Sequence, residues 1–376
     1  MIVNPIAGIG GPVALKGSDG AATVLEALRR GGRPLASLRA TRALEALGRR
    51  LSGCTILTGA GPLGAAIAER ARFVTETIAP VTDIETTAED TRRLAAALLK
   101  ARPDLILFAG GDGTARDVFD IVGGDIPLIG IPAGVKMHSA VFARTPDAAG
   151  EAAARFVESG ERRTHDAEIM DIDEAGLREG RVGAELYGYA ASPRLGGFMQ
   201  NAKSGPAHHD DAALDAAARE VARRLDPSRL TFVGPGTTTR RVLRALGHEG
   251  TLLGIDAVAD GRLIGTDLTA GQIKTLLDGT TRAGLVLGVI GGQGCLLGRG
   301  NQQLSPEILR RIGLGNITIL AALEKLAALN CGGLFVDTGD LDLDRALAGY
   351  RRVHTGPGMT SITRIDAAST LAGPAA

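Results

Sequence analysis

Unbroken apolar runs alternate along this chain with stretches whose apolar residues recur at helical spacing. Residues 105–108 and 128–131 are apolar throughout apart from Gly130, the pattern of parallel strands buried on both faces. Residues 21–30, 39–50 and 87–101 carry the 3.6-residue period of amphipathic helices, and 63–70 and 115–122 read as shorter ones. A short apolar start at 2–3 and a strand at 55–58 complete the first set. Each strand runs into a glycine-rich loop: residues 4–11 after the first, 59–62 after the second, and 110–114 after the third. Strand, loop and helix in that order predict a doubly wound α/β domain over residues 1–160. Ligands of such domains bind at the loops that follow strand ends.

The rhythm changes near residue 160. Residues 162–173 and 181–190 read as two strands with partial alternation around a turn at 174–180, and 195–209 as a loop. Helix and strand then alternate again. Helices are predicted at 211–225, 238–246, 269–277 and 324–329. Strands are predicted at 230–233, 252–258, 285–290, 317–320 and 334–336, with a β-like tail at 350–365. The reading is therefore an N-terminal doubly wound α/β domain with a β-rich second domain that carries an α/β insertion. The β-rich part is expected to join residues 161–207 to strands of 331–368, with the inserted α/β module at 208–330. There is no internal repeat of short fixed period.

Composition narrows the function. Lys plus Arg (42) balances Asp plus Glu (42), which argues against nucleic acid and against an anionic membrane surface. Glycine supplies 53 of 376 residues, roughly twice ordinary usage, and points to tight turns and to backbone approaching something closely. With aromatics at 3% and no Trp, the core must be aliphatic. Cys54, Cys295 and Cys331 are widely spaced and form no Cys-x-x-Cys pair, so no zinc site or disulfide framework is indicated. The expected compartment is a reducing cytoplasm. The start of the chain shows no signal-peptide pattern, and no apolar run reaches the ~18 residues of a membrane span.

The most chemical segment is Gly110-Gly111-Asp112-Gly113-Thr114, between a buried strand and a helix. Its glycines let backbone approach a phosphate, and the following helix offers first-turn N–H groups and a positive dipole end. Asp112 would repel a bare phosphate. It makes sense beside a metal ion, or as the acceptor of a proton from an attacking hydroxyl. A plain Gly-Asp-Gly turn with a capping Asp is the competing reading. Gly236, Thr237 and Thr238, in Gly234-Pro235-Gly236-Thr237-Thr238-Thr239-Arg240, again join a strand to a helix and suit either an anion or simple helix capping. Lys203 in its loop, the glycine-rich 291–303 segment as a lid or phosphate turn, and Asp337 and Asp340 as metal carboxylates are further candidates. A helix N-cap explains Asp340 equally well. His208-His209-Asp210-Asp211 invites a metal reading, but adjacent side chains diverge on most backbones.

Gly110-Gly111-Asp112-Gly113-Thr114 resembles the GGDGT signature of the NAD kinase and diacylglycerol kinase superfamily. Asn4-Pro5-Ile6-Ala7-Gly8 resembles the Asn-Pro-x-(Ser/Ala)-Gly loop that ends that superfamily's first strand. Residues 130–140, Gly-Ile-Pro-Ala-Gly-Val-Lys-Met-His-Ser-Ala, sit where the superfamily has its third loop. Together with residues 291–294 and 298–303 they resemble a NAD-kinase-like branch. That branch includes predicted ATP- or polyphosphate-dependent NAD kinases and proteins encoded with acetoin catabolism. The likeness to the branch covers most of the chain, and the likeness to well-studied NAD kinases its first 160 residues or so.

The resemblance implies phosphoryl transfer from ATP or polyphosphate, with Mg²⁺, to a hydroxyl of NAD or a related small metabolite. By that implication Asp112 is the base, or the organiser of metal and acceptor. Gly110, Gly111, Gly113 and Thr114 hold phosphates, and Asn4, Pro5 and Gly8 line the nucleotide site. Lys136, His138 and Ser139 occupy the third loop, where Lys136 and His138 suit phosphate contact; a hydrogen-bonded structural histidine is the other reading of His138. The site is expected where the Asp112, Lys136 and Gly236 loops meet. Two departures stand out. The chain has no Asn-Glu dipeptide, the pair with which NAD kinases grip the dinucleotide, and no Gly-Thr-x-Asn-Asp loop of the lipid kinases. A nucleotide- or polyphosphate-binding regulator with the same fold, and a lipid kinase, are the alternatives. A homodimer is compatible with the composition.

Overall fold

The computed structural model describes residues 1–15, 20–80, 86–135, 137–159, 162–172, 184–195, 197–199, 211–290, 294–329 and 333–370. Lys136, Lys203, His208, His209, Asp210, residues 291–293 and Cys331 lie outside the described residues.

The N-terminal half runs β1 (Ile2–Val3), α1 (Ala21–Arg29), α2 (Ala36–Arg50), β2 (Thr55–Gly59), α3 (Ala65–Arg70), β3 (Val74–Ala79), α4 (Ala88–Ala101), β4 (Ile106–Gly110), α5 (Asp112–Val122), β5 (Leu128–Pro132) and α6 (Pro146–Glu158). Strands β1, β4 and β5 form a parallel sheet with β4 in the middle. Strands β2 and β3 pair in parallel. The Thr58 hydroxyl donates to the Met1 carbonyl at 2.9 Å, and the Met1 amine donates to the Leu57 carbonyl, so β2 lies beside β1. Reading across gives β3-β2-β1-β4-β5, the 3-2-1-4-5 strand order of a doubly wound sheet.

Side-chain alternation assigns the two faces. Leu107, Ala109, Ile129 and Ile131 pack with Ala40, Ala43, Ala149 and Ala152 of α2 and α6. Ile106, Phe108 and Leu128 pack with Leu94 and Leu98 of α4 and Ala115 and Val118 of α5. The alanine-rich side lets helices approach closely. A Cβ on Gly150 of α6 would stand 2.0 Å from the Ala43 carbonyl of α2. This is how an aromatic-poor chain fills its core. Helix α6 has no counterpart in the sequence reading, although Thr145 caps it by accepting from the Ala148 N–H at 3.0 Å and Pro146 opens it.

Strands β6 (Thr164–Ile172) and β7 (Ala184–Pro193) form an antiparallel hairpin that packs on α5 and β5. Ala167, Ile169 and Ala190 join the core of Phe108 and Val118. The Ala140 N–H donates to the Glu168 carbonyl at 2.7 Å, and the Ser192 hydroxyl to the Leu128 carbonyl at 3.0 Å.

The C-terminal half runs α7 (Asp211–Arg224), β8 (Leu230–Val233), α8 (Thr237–Ala245), β9 (Asp256–Ala259), β10 (Arg262–Gly265), α9 (Ala270–Asp278), β11 (Ala283–Gly288), β12 (Cys295–Leu297), α10 (Pro306–Ile312), β13 (Ile317–Leu320), α11 (Leu323–Ala327), β14 (Gly333–Val336), α12 (Leu341–Leu347), β15 (Gly349–Gly356) and β16 (Met359–Ala367). Nine strands form one mixed sheet in the order β10-β9-β8-β11-β13-β15-β16-β14-β12. The tail strands therefore pair with the 230–320 strands, and not with residues 161–207 as the sequence reading expects. The reason is visible in the burial. The hairpin's apolar face is already used against α5, while β13 and β15 align parallel edges, Ile319 with Val353. The strand expected at 252–258 starts only at Asp256. That buried carboxylate accepts from the Thr251 N–H, the Thr251 hydroxyl and the Asp267 N–H at 2.7, 2.8 and 3.0 Å, which folds the preceding residues into a loop. Among the described residues, no helix is long and apolar enough to cross a membrane.

The two halves are joined by buried charge. Asp337, just past β14, accepts from Arg39 at 2.5 Å and Arg42 at 3.2 Å, both on α2. Arg42 also donates to Asp147 of α6 at 2.5 Å. Burial alone would raise the Asp337 carboxyl, but the two guanidinium groups hold it below its usual value. Asp344 of α12 lies beside this cluster. Its Oδ1 accepts from the Thr338 N–H and hydroxyl at 2.9 and 2.6 Å, while its buried Oδ2 has no hydrogen-bond partner. Burial, helped by repulsion from Asp337, pushes Asp344 up to about 6 against the Thr338 bonds.

These opposite shifts have opposite signs in stability. Asp337, depressed, contributes stability above its unfolded pKa, lost as pH falls. Asp344, raised, contributes stability that is complete below about pH 4 and lost as pH rises through about 6. Asp344→Asn is expected to abolish a fall in unfolding free energy of about 1.4 kcal/mol between pH 5 and pH 7.5. Urea midpoints of both proteins at the two pH values measure it; an unchanged pH slope in the variant would assign that titration to another group.

Candidate functional site

Three loops converge at the carboxyl ends of β1, β4 and β5. After β1, the Asn4 N–H donates to the Ala109 carbonyl at 3.0 Å, and Asn4 Nδ2 donates to Thr114 Oγ1 at 3.0 Å. Asn4 Oδ1 accepts from the Ile6 N–H at 3.3 Å, turning the chain at Pro5. Gly8 has φ +83°, and a Cβ there would meet the Ala133 carbonyl at 2.4 Å. After β4, the Gly110 carbonyl accepts from the N–H groups of Ala133 and Gly134, both at 3.0 Å. A Cβ on Gly110 would strike Thr114 at 2.4 Å, and one on Gly134 would stand 2.8 Å from the Gly111 Cα. Gly8 and Gly134 are thus required by the loops' approach to one another, and Gly110 by the room that Thr114 of its own turn takes. Gly111 caps α5, and Gly113 and Thr114 lie in its first turn. The first-turn N–H groups face past the helix end, a standing site for anionic oxygens.

Asp112 opens α5 and is buried. Its Oδ2 accepts from the His138 N–H at 2.7 Å. Its Oδ1 accepts from the Ser139 N–H at 3.0 Å and the Ser139 hydroxyl at 2.6 Å. One carboxylate therefore holds the third loop against the second. The His138 contact is made by its backbone, so that part of the contact needs no imidazole.

A fourth segment reaches this site from the C-terminal sheet. Gly298, at φ +111°, passes so close to Asp337 that a Cβ would lie 2.0 Å from its carbonyl oxygen. The Gly300 N–H then donates to the Val135 carbonyl at 3.1 Å, and Gln302 Nε2 to the Gly134 carbonyl at 3.3 Å. The Gln302 side chain also lies against Gly11 of the first loop, whose Cβ would sit 3.0 Å from it. Buried Arg299 donates to the carbonyls of Ala143, at 3.0 Å, and Arg144. Burial pushes its guanidinium down to about 10, which leaves it charged at neutral pH. The sequence reading treats this glycine-rich segment as a lid or phosphate turn. Its run of glycines was the signal, and the described ones, Gly294, Gly298 and Gly300, all have positive φ; the grip on residues 134–144 had no such mark.

Gly236, Thr237 and Thr238 lie elsewhere, at the carboxyl end of β8. Gly236 has φ +124°, and its N–H donates to the Leu252 carbonyl at 2.8 Å. Thr238 sits beside Gly288 at the end of β11, the parallel neighbour of β8. The structure thus brings together Asn4, Pro5, Gly8, Gly110, Gly111, Asp112, Gly113, Thr114, His138 and Ser139, and puts Gly236–Thr238 in the second sheet. Asp337, a metal carboxylate in the sequence reading, has both oxygens committed to arginines. Asp340 caps α12 by accepting from the Leu343 N–H at 2.9 Å.

Among the described residues no three His, Cys, Asp or Glu side chains form a metal cluster. Mg²⁺ needs no such cage, because it keeps several waters and takes one or two carboxylates plus substrate phosphates. Asp112, at the loop junction, would offer such an ion one carboxylate.

Residues 2–161 match the family model of the ATP-NAD kinase N-terminal domain, and residues 231–365 that of the ATP-NAD kinase C-terminal domain. Together they span more than three quarters of the chain. Among curated proteins and solved structures, none matches.

The loop contacts distinguish glycines of similar appearance. Gly8→Ala combines a positive φ with a 2.4 Å backbone contact and is expected to cost about 2 kcal/mol or more in urea unfolding. Gly111→Ala meets only the Gly134 Cα at 3.4 Å and should cost no more than about 0.5 kcal/mol. Equal losses would mean that loop approach does not explain Gly8.

Proposed function

Because the chain belongs to the ATP-NAD kinase family, we propose that it transfers the terminal phosphoryl group of ATP to a hydroxyl of NAD where the first three loops converge. The observation that carries this reading is the placement of Asp112: a buried carboxylate at a helix N-terminus, held at the meeting point of three glycine-containing loops. Phosphoryl transfer asks a protein mainly for positioning and for stabilisation of charge. The backbone of Gly110, Gly111, Gly113 and Thr114 supplies N–H groups to phosphate oxygens. The Asn4–Gly8 loop, tied to Thr114 through Asn4, walls the nucleotide. Asp112 orients the acceptor hydroxyl and receives its proton.

Lys136 and His138 offer cationic or hydrogen-bonding side chains to the phosphates, and Gly236, Thr237 and Thr238 an anion contact in the C-terminal half. Mg²⁺, when bound with ATP, neutralises phosphate charge as the transition state forms. Polyphosphate is the other donor this site suits, since both present the same chain of phosphate oxygens. The reaction belongs in the cytoplasm, where both substrates are held. The dinucleotide is gripped without an Asn-Glu pair, so its recognition rests on other groups of the two halves.

The test is mass spectrometry of the purified chain with ATP, Mg²⁺ and NAD⁺. NADP⁺ is expected, and Asp112→Asn is expected to lower its rate of formation by at least about 10²-fold. The asparagine must turn an NH₂ group toward one of the donors that Asp112 accepts, so protection by ATP in a thermal shift is the control for an intact nucleotide site. No NADP⁺ from the natural chain would overturn NAD as acceptor. Full turnover by Asp112→Asn would overturn the role of Asp112.

A further inference from the structure

Ser139 is fully buried, and its hydroxyl has two partners. The Met170 N–H of β6 donates to Ser139 Oγ at 2.9 Å. The hydroxyl's only proton points to Asp112 Oδ1, 2.6 Å away. The direction of this chain is fixed, because an N–H can only donate and a carboxylate accepts. The Ser139 N–H donates to the same carboxylate oxygen at 3.0 Å. Asp112 on α5 is therefore tied through one hydroxyl to the backbone of β6, a strand outside the doubly wound sheet.

We propose that Ser139 is a positioning residue for phosphoryl transfer: it anchors the Asp112 carboxylate to β6 and so fixes the orientation in which that carboxylate meets the acceptor hydroxyl. This rests on the kinase reading above. It differs from the expectation that Ser139, as part of the third loop, touches phosphate. A phosphate oxygen could take the Ser139 proton only by displacing a 2.6 Å bond to a carboxylate, and it would then stand beside that negative charge. Zero exposure argues the same way.

Removal of the hydroxyl leaves the Met170 N–H buried without that acceptor and deprives Asp112 Oδ1 of a 2.6 Å bond. The carboxylate then turns more freely about its side-chain bonds, and productive alignment is lost more than binding is.

The experiment is steady-state NADP⁺ formation by the full chain carrying Ser139→Ala. The expected result is a kcat at least about tenfold lower, with KM for ATP and NAD⁺ within about twofold. The acidic limb of the kcat–pH profile should also move to higher pH, because one hydrogen bond to the ionised carboxylate is gone. Ser139→Thr keeps the hydroxyl and is expected to restore most of kcat. Unchanged kcat in Ser139→Ala, or equal losses in the alanine and threonine variants, would overturn the proposal. Thermal unfolding of Ser139→Ala, Asp112→Ala and the double variant reads the tether without activity, because alanine at 112 removes the acceptor that an asparagine oxygen would keep. Non-additive losses in Tm are expected, since both single changes break one bond; additive losses would overturn the tether. Preserved coupling in a chain that makes no NADP⁺ would reject the kinase reading and leave the tether standing. An active chain indifferent to Ser139→Ala would reject the role of Ser139 alone.

Discussion

Three N–H and O–H donors from two consecutive residues converge on the carboxylate of Asp112. Nearly everything about the site's shape depends on that contact. A carboxylate is acceptor-only and has room for about four donors, so it can gather a loop around itself. Because Asp112 begins α5, the gathered loop is held over a helix N-terminus. The glycines answer the same demand. The third loop can come this near only because position 134 carries no side chain, which would otherwise stand 2.8 Å from the Gly111 Cα, while the bare Gly110 makes room for Thr114.

The second constraint is the seam between the two halves. The nine-stranded sheet touches the N-terminal loops through Gly300 and Gln302, while Asp337 receives Arg39 and Arg42. Gly298 is squeezed between these two contacts, against the Asp337 backbone. The residue that accepts the interdomain arginines is thus also the one that shapes the turn reaching the third loop. Buried ion pairs repay their desolvation poorly as stabilisers, and breaking one partner is costly. Here they join α2 to the residue that follows β14, across two sheets that share no strand.

Much of this was legible in the residues. The runs 105–108 and 128–131 are strands β4 and β5 in the structure, and the Gly-Asp-Gly and Asn-Pro loops follow strands as their patterns require. Asp112 could be singled out because an acidic residue is anomalous in a phosphate loop. Other features were not read. Strand β3 and helix α6 escaped. Val74–Ala79 is a half-polar, little-buried edge strand, and the face of α6 is alanine and glycine, whose apolar signal is faint even though its Thr145-Pro146 start is a clear helix opening. The pairing of the tail strands is a long-range choice that periodicity does not encode. Neither does the Met170 N–H, a backbone group that any residue type would supply. Ser139 looked like a loop hydroxyl because its partners are 27 and 31 positions away in the chain.

The β6–β7 hairpin has a consequence for where this molecule can be divided. The match to the N-terminal family domain ends at residue 161, before the hairpin begins. Yet Ala167, Ile169 and Ala190 share a core with Phe108 and Val118, and Phe119 fills the space over Gly188. A fragment ending at 161 would bare an apolar face of α5 and strip the Ser139 hydroxyl of its backbone donor. The packed N-terminal unit therefore extends past the end of the family match to include the hairpin. Any lineage that exchanged this part of the chain as a module would have had to carry the hairpin along with it.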